Sequence, residues 1–191
     1  LLMKDTPVKF LEGVKVYLRP LEKEDVQGNY RRWLNDQEVC LHNSHGVFPV
    51  QISELENYVS ADYVDRIVLG IFDLHSHEHI GNVSLQQIDW ISKSAEFAII
   101  IGEKDYSRGG YGKEASDLIL YHGFVRMNLE RIYCGTSEDN IAMQKLSNYM
   151  SMVKEGVRRK AIFVNGQYRD IYEYGLLKNE YVVSQNYKNK Y

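Results

Sequence analysis

A mixed α/β domain, its central sheet mostly antiparallel and flanked by helices, is the fold class this sequence predicts. Three observations carry the prediction. Strand-like segments separated by short polar turns fill the first half, a glycine-rich loop then feeds a helix, and a strand–helix–hairpin series closes the chain. The order is β, two helices, three strands, helix, strand, helix, hairpin, with antiparallel strands first and a βαβ-like crossover in the middle.

Val14-Lys15-Val16-Tyr17-Leu18-Arg19 alternates apolar and polar residues as a half-buried strand does, and Pro20 closes it. Glu22 to Leu34 predicts a helix, acidic in its first turn, with Val26, Tyr30, Trp33 and Leu34 at helical spacing; Asn35-Asp36 breaks it. Leu41 to Gln51 has no clear period and reads as a loop, while Ser53-Glu54-Leu55-Glu56 has the form of a capping box opening a short helix. Strands are expected over Arg66 to Asp73, His79 to Asp89 and Ser94 to Gly102, joined by the turns Leu74 to Glu78 and Trp90 to Lys93.

After the loop Glu103 to Gly112, a helix is expected from about Lys113 to Met127, because Ala115, Leu118, Ile119, His122 and Val125 share a face. Glu130 to Thr136 reads as a strand and Asn140 to Met150 as a helix. Met152 to Val164 and Gln167 to Lys178 form a hairpin about Asn165-Gly166, a turn-forming dipeptide.

No linker or repeat interrupts the 191 residues, so one domain over 1–191 is expected, with 1–10 and 184–191 flexible or peripheral. The hydrophobic share of 44% suits a real core, and 23 basic against 26 acidic residues argues against a nucleic-acid partner. The longest apolar run, Phe97 to Ile101, is far too short for a membrane span. Cys40 and Cys134 make no CxxC pair and no secretory signal is visible, which fits two free thiols in a reducing cytoplasm. The chain opens Leu1-Leu2-Met3, and Met3 is the expected natural start.

The most informative segment is Tyr106-Ser107-Arg108-Gly109-Gly110-Tyr111-Gly112-Lys113-Glu114-Ala115, between a strand and a helix. Its glycines let the backbone turn tightly and present N–H groups at a helix start, where an anion such as a diphosphate is favoured. The bland alternative is a surface loop with a glycine cap. A P-loop is excluded, because Ser107 stands where its first glycine belongs and Glu114 where it needs Ser or Thr. Gly110-x-Gly112-x-x-Ala115 matches the dinucleotide fingerprint literally, but that motif follows its strand directly within an opening βαβ unit, and here a meander and eight residues intervene.

In these residues the chain resembles the GCN5-related N-acetyltransferase superfamily, in its RimJ/RimL-like branch. Ala95 to Gly102 is similar to the family's Ala-Glu strand and Ser107 to Gly112 to its (Gln/Arg)-x-x-Gly-x-(Gly/Ala) loop. Val16 to Leu21, Trp33 to Val39, Ser137 to Ala142 and Gly166 to Lys178 resemble further family segments in the right order. The resemblance implies acetyl-CoA as co-substrate and direct attack by an amine in a ternary complex, without a metal. The acceptor would be a primary amine, either a protein N-terminus or a small molecule such as an amino sugar; the enzyme would be a monomer or homodimer. It also implies that Ser107, Arg108, Gly109, Gly110, Tyr111, Gly112, Lys113 and Asn140 hold the coenzyme. Backbone N–H groups of Ile99, Ile100 and Ile101 would pair with its pantetheine arm, if the strand splays there. Two departures stand out: Ser107 occupies the Gln/Arg position, and Ser151-Met152 replaces the Gly-Phe after the later helix.

Acetyl transfer to an amine requires a neutral nucleophile, a donor to the developing oxyanion and help for the leaving thiolate. Glu96 is the candidate base, directly or through water, since alternation puts it with Ala98 and Ile100 among apolar neighbours; the alternative is an exposed strand glutamate. Ser147 lies two helical turns after Asn140, on the same face, where many members of the family carry a tyrosine acid. Ser147 is the second catalytic candidate, and Asn140 could equally cap its helix. His75, His77 and His79 alternate, but Leu74 to Glu78 reads as a hairpin tip, so no metal site is expected. His42 and His45 sit on the loop that would face the acceptor, and Arg158-Arg159-Lys160 reads as a solvated cluster. A non-catalytic acyl-CoA-binding or regulatory module on the same fold is the rival reading.

Overall fold

Along each central strand, side chains alternate between two faces, and each face meets its own hydrophobic layer. The computed structural model describes residues 8–42, 45–60 and 64–183. Eight strands form one sheet: β1 (Leu11–Glu12), β2 (Val16–Pro20), β3 (Ile67–Asp73), β4 (His79–Asp89), β5 (Ser94–Ile101), β6 (Arg131–Ser137), β7 (Val153–Val164) and β8 (Gln167–Leu177). Their order is β1-β2-β3-β4-β5-β6-β8-β7. All neighbours are antiparallel except β5 and β6, whose parallel pairing needs the crossover helix between them.

One face carries the larger core. Leu18, Ile71, Val83, Leu85 and Phe97 pack there against Leu118, Ile119 and Phe124. These last three belong to α4 (Tyr111–Tyr121) and to the π-helical turn that extends it, His122–Arg126. α5 (Ile141–Tyr149) lies beside α4. The other face carries a smaller core of Val26, Tyr30, Trp33, Leu34 and Leu55. Those residues come from α1 (Lys23–Asp25), the π turn Val26–Tyr30, α2 (Arg31–Leu34) and α3 (Ile52–Ser60).

The expected helix over Glu22 to Leu34 therefore exists, but in three pieces. Gly28 (φ −89, ψ −120) interrupts its helical backbone, and Asp25 closes a capping box by accepting the Glu22 N–H at 2.8 Å. α3 begins at Ile52, ahead of the expected box, because Glu54 reaches back to the Gln51 N–H at 3.2 Å and leaves Ser53 inside the helix. α4 begins at Tyr111 rather than Lys113, directly after the left-handed Gly110. Phe10 is not peripheral: its N–H donates to the Leu18 carbonyl at 2.8 Å and its ring meets His122 edge-on. Met3 and the tail 184–191 lie outside the described residues.

β7 forms one edge of the sheet. Its pairing with β8 slips between Lys154 and Gly156 and again between Arg158 and Ile162. Arg158, Arg159 and Lys160 sit exposed at the second slip.

Candidate active site

The site begins where two strands part. β5 and β6 pair only over Ser94–Glu96 against Arg131–Tyr133, although β5 continues to Ile101 and β6 to Ser137. Beyond Glu96 the other edge of β5 stays bonded to β4, as far as Ile101 opposite Gly81. The backbone groups of Phe97 to Ile101 that face β6 therefore find no ladder partner there, and they line a gap through the sheet. Close approach is built in at Gly81, where a Cβ would lie 2.3 Å from the Ile100 carbonyl oxygen. Gly102 is equally constrained, because a Cβ there would lie 2.0 Å from the Trp33 ring.

Alternation assigns the two sides of the gap. Ile99 and Ile101 pack toward the larger core and α4; Ile100 packs against the smaller one. Glu96, Ala98 and Ile100 share the latter face.

On the α4 side lies the glycine-rich loop. Gly109 (φ 91) and Gly110 (φ 88) are both left-handed, a conformation that glycine alone adopts without strain, and Gly110 caps α4. The first helical N–H to reach a carbonyl is that of Glu114, bonded to the Gly110 oxygen at 3.0 Å, so the donors of Tyr111, Gly112 and Lys113 remain open, as at any helix start. A Cβ on Gly110 would meet nothing within 4 Å, whereas one on Gly112 would touch Ile101 and Ile99 at 3.7 and 3.8 Å. The open donors thus adjoin the free end of β5, with space above them. That combination fits a diphosphate at the helix start and its thioester arm in the gap.

Other expected coenzyme residues divide. Arg108 and Lys113 are exposed, Lys113 with its Nζ 4.7 Å from the Tyr149 ring centroid, and Tyr111 packs edge-on against Tyr106. Ser107 donates its hydroxyl to the Lys104 carbonyl at 2.6 Å, which turns it away from the cradle and onto its own turn. The Asn140 side chain accepts the Met143 N–H at 3.1 Å, capping α5. Ser147 is fully buried. Its hydroxyl donates to the Met143 carbonyl at 3.0 Å and lies 3.6 Å from the Cys134 sulfur, so the group expected to serve the leaving thiolate is engaged inside the core. Burial pushes the Cys134 thiol up to about 11 and raises Cys40 as well, in keeping with inert buried thiols.

On the opposite face, Glu96 stands at the last bonded position before the gap. Its surroundings are more polar than expected: Gln86 and Gln87 both donate side-chain amides to Oε2, at 3.0 and 2.8 Å. Tyr133 is its register partner on β6. No cation lies within ion-pair distance of Glu96 among the described residues.

A loop spans the mouth of the gap. From the β5 end it is held by the Glu38–Lys104 ion pair, with Arg32 and the Trp33 Nε1 (3.0 Å) on Glu103 beside it. At the β6 end, His42 Nδ1 lies 3.3 Å from Asp139, and the Asn165 side chain donates to the Leu41 carbonyl at 3.4 Å. Hydrogen bonding from Ser137 and the nearby His42 hold the Asp139 carboxyl below its usual range. His45 starts a short 3-10 turn, and burial lowers its pKa. His75 and His77 fall in the turn before β4. His79 is buried, bonded to Asn82 at 2.8 Å, with its pKa lowered by burial.

Four residues outside the sequence candidates matter here. Gln86 was within reach of the sequence, as the neighbour of Glu96 across a short hairpin, but the bulge at Gln87 (φ 49) shifts the register by one residue. Asp139 and its partners join segments far apart in the chain, and so do Lys15 and Glu114. Glu114 accepts the N–H groups of Val14 (2.6 Å), Lys15 (2.7 Å) and Val16 (3.1 Å), while Lys15 Nζ donates to the Gly109 carbonyl at 2.6 Å.

Comparison with known proteins adds three findings. Residues 15–152 match the family model described as an acetyltransferase (GNAT) domain. The uncharacterized N-acetyltransferase p20 of Bacillus licheniformis is 33% identical over 87% of this chain and 95% of its own length; the spermidine N(1)-acetyltransferase of Escherichia coli K12 is 28% identical over 87% and 88%. Among solved structures, spermidine N-acetyltransferase from Vibrio cholerae in complex with CoA and spermine superposes with a TM-score of 0.78, at 25% identity, over 87% of this chain and 98% of that one.

Proposed function

Since the chain belongs to the GNAT family of N-acetyltransferases and uses acetyl-CoA, we propose that its acceptor is a primary amine of a small polycation, of the polyamine kind. The observation that carries this is the parting of β5 and β6 immediately after Glu96, with open helix-start donors on one face and a carboxylate held by two glutamine amides on the other. The polyamine names of two relatives support the acceptor class, and so does a carboxylate held by amides rather than by a cation.

In this reading the coenzyme supplies a thioester carbonyl that enters the gap from the α4 side. Gly110, Tyr111, Gly112 and Lys113 offer backbone donors to the diphosphate, and backbone N–H groups of Ile99 to Ile101 orient the thioester arm. Glu96 draws the acceptor's ammonium to the other mouth of the gap and takes its proton, directly or through water. The freed amine attacks the carbonyl carbon; the C–N bond forms, the C–S bond breaks, the electron pair leaves on sulfur, and the proton lost by the acylated nitrogen passes through solvent to the thiolate. Ser147 bonds back to Met143 within α5 and meets Cys134 of β6 at 3.6 Å, and we assign it no proton.

A thiol-release assay tests the acceptor class. Spermidine and spermine are expected to exceed an α-amino peptide and glucosamine by at least about tenfold in kcat/KM. Preference for the peptide or the amino sugar would overturn the polyamine assignment.

A further inference from the structure

An acidic residue in the first turn of α4 is out of place beside a diphosphate, since Glu114 brings negative charge to the end of the helix where an anion is to bind. The structure resolves this by turning the carboxylate backward. Glu114 accepts three consecutive N–H groups from Val14, Lys15 and Val16, at the entry to β2. Gly13 permits the approach, because a Cβ there would lie 2.6 Å from the Glu114 carboxyl.

The same turn sends a cation the other way. Lys15 Nζ donates to the Gly109 carbonyl at 2.6 Å, across 94 residues of sequence, and lies 5.7 Å from the Tyr111 ring centroid. No peptide bond in the described chain is cis, so the Gly109 oxygen and the Gly110 N–H point in opposite directions within one peptide plane. Holding the oxygen therefore aims the N–H. A charge-assisted bond to the oxygen also polarises that peptide and strengthens its N–H as a donor. Between two left-handed glycines the plane is otherwise free to turn.

We propose that Lys15 is a positioning residue for the coenzyme: by gripping the Gly109 carbonyl it fixes the Gly110 N–H toward the diphosphate. The assignment rests on the reading of the glycine loop as the coenzyme cradle. The Lys15 side chain is exposed, and its substitution is expected to leave the fold in place.

The test is titration of the full-length protein with CoA, together with turnover of acetyl-CoA and of S-acetylpantetheine, which ends before the diphosphate. For K15Q, the CoA Kd is expected to rise about tenfold, the effect of one charge-assisted hydrogen bond. K15R, which keeps the charge, is expected to stay within about threefold of wild type. The kcat/KM for S-acetylpantetheine is expected to be the same in wild type and K15Q. An unchanged Kd in K15Q, or an equal loss on S-acetylpantetheine, overturns the role of Lys15. The cradle reading itself falls separately, if wild-type protein gains no affinity for CoA over pantetheine.

Discussion

The two mouths of the gap are built by opposite means. On the proposed coenzyme side the parts are backbone: two left-handed glycines, the open end of a helix, and a strand edge released from its neighbour. The proposed acceptor side consists of side chains drawn from distant segments, with Glu96 held by two glutamines and the loop over the mouth tied down by Glu38–Lys104 and His42–Asp139. Backbone donors bind any diphosphate and discriminate little. In the proposed reading the side-chain mouth is where one amine is told from another, and exposed ion pairs of this kind are individually weak and easily re-formed. A common reaction is thus separated from a variable choice of substrate.

Substitutions can break that division. The largest effect is expected from Gly110→Val, where a β-branched residue would have to hold φ 88 and place its methyls in the open space over the donors. CoA affinity is expected to fall beyond about 100-fold by titration, with two or more charge-assisted bonds lost. Glu96→Gln works from the other mouth: kcat is expected to drop about 100-fold in steady-state assays while CoA binding stays within about twofold. Equal losses of binding in both variants would erase the distinction between the two sides.

Smaller effects sharpen the picture of what lies beneath. His79 and His122 are buried, and burial lowers the pKa of each below the ordinary 6.5. In such a case the unfolded chain takes up the proton first, so stability falls as pH drops through about 6.5 toward the folded values. Thermal melts are expected to show a lower Tm at pH 5 than at pH 7, and His79→Gln is expected to make that fall shallower. Asp73 and Asp139, held below their usual range, lose their contribution only at more acidic pH. The smallest effect is at Ser151, which holds φ 61 where α5 turns into β7. Ser151→Gly is expected to stabilise by about 1 kcal/mol, raising Tm by about 2–4 °C.

Ser151 also illustrates what the sequence could reveal. Its N–H bonds to the Asn148 carbonyl at 3.0 Å and that of Met152 to the Ser147 carbonyl at 3.0 Å, so the helix closes as it would with glycine, at the expense of a strained serine. Elements and their order were legible, because alternation and helical spacing are local. The glycine turn was legible for the same reason: left-handed glycines before a helix are a feature of neighbouring residues. Side-chain destinations were not. Neither the back-bond that engages Ser147 nor the route from Lys15 to Gly109 leaves a mark in sequence spacing. The apolar setting expected for Glu96 failed because a single bulge at Gln87 brings a second amide onto the same oxygen.

The slipped pairing along β7 bears on a different matter, the behaviour of this protein at high concentration. An outer strand with intact spacing is a template on which a stranger can add itself, one rung after another, until fibres form. Here no stretch of rungs beside β8 runs longer than three before it is interrupted, and three positive charges crowd the second interruption. A newcomer would lose its alignment before it gained a hold, which keeps this border closed to recruitment.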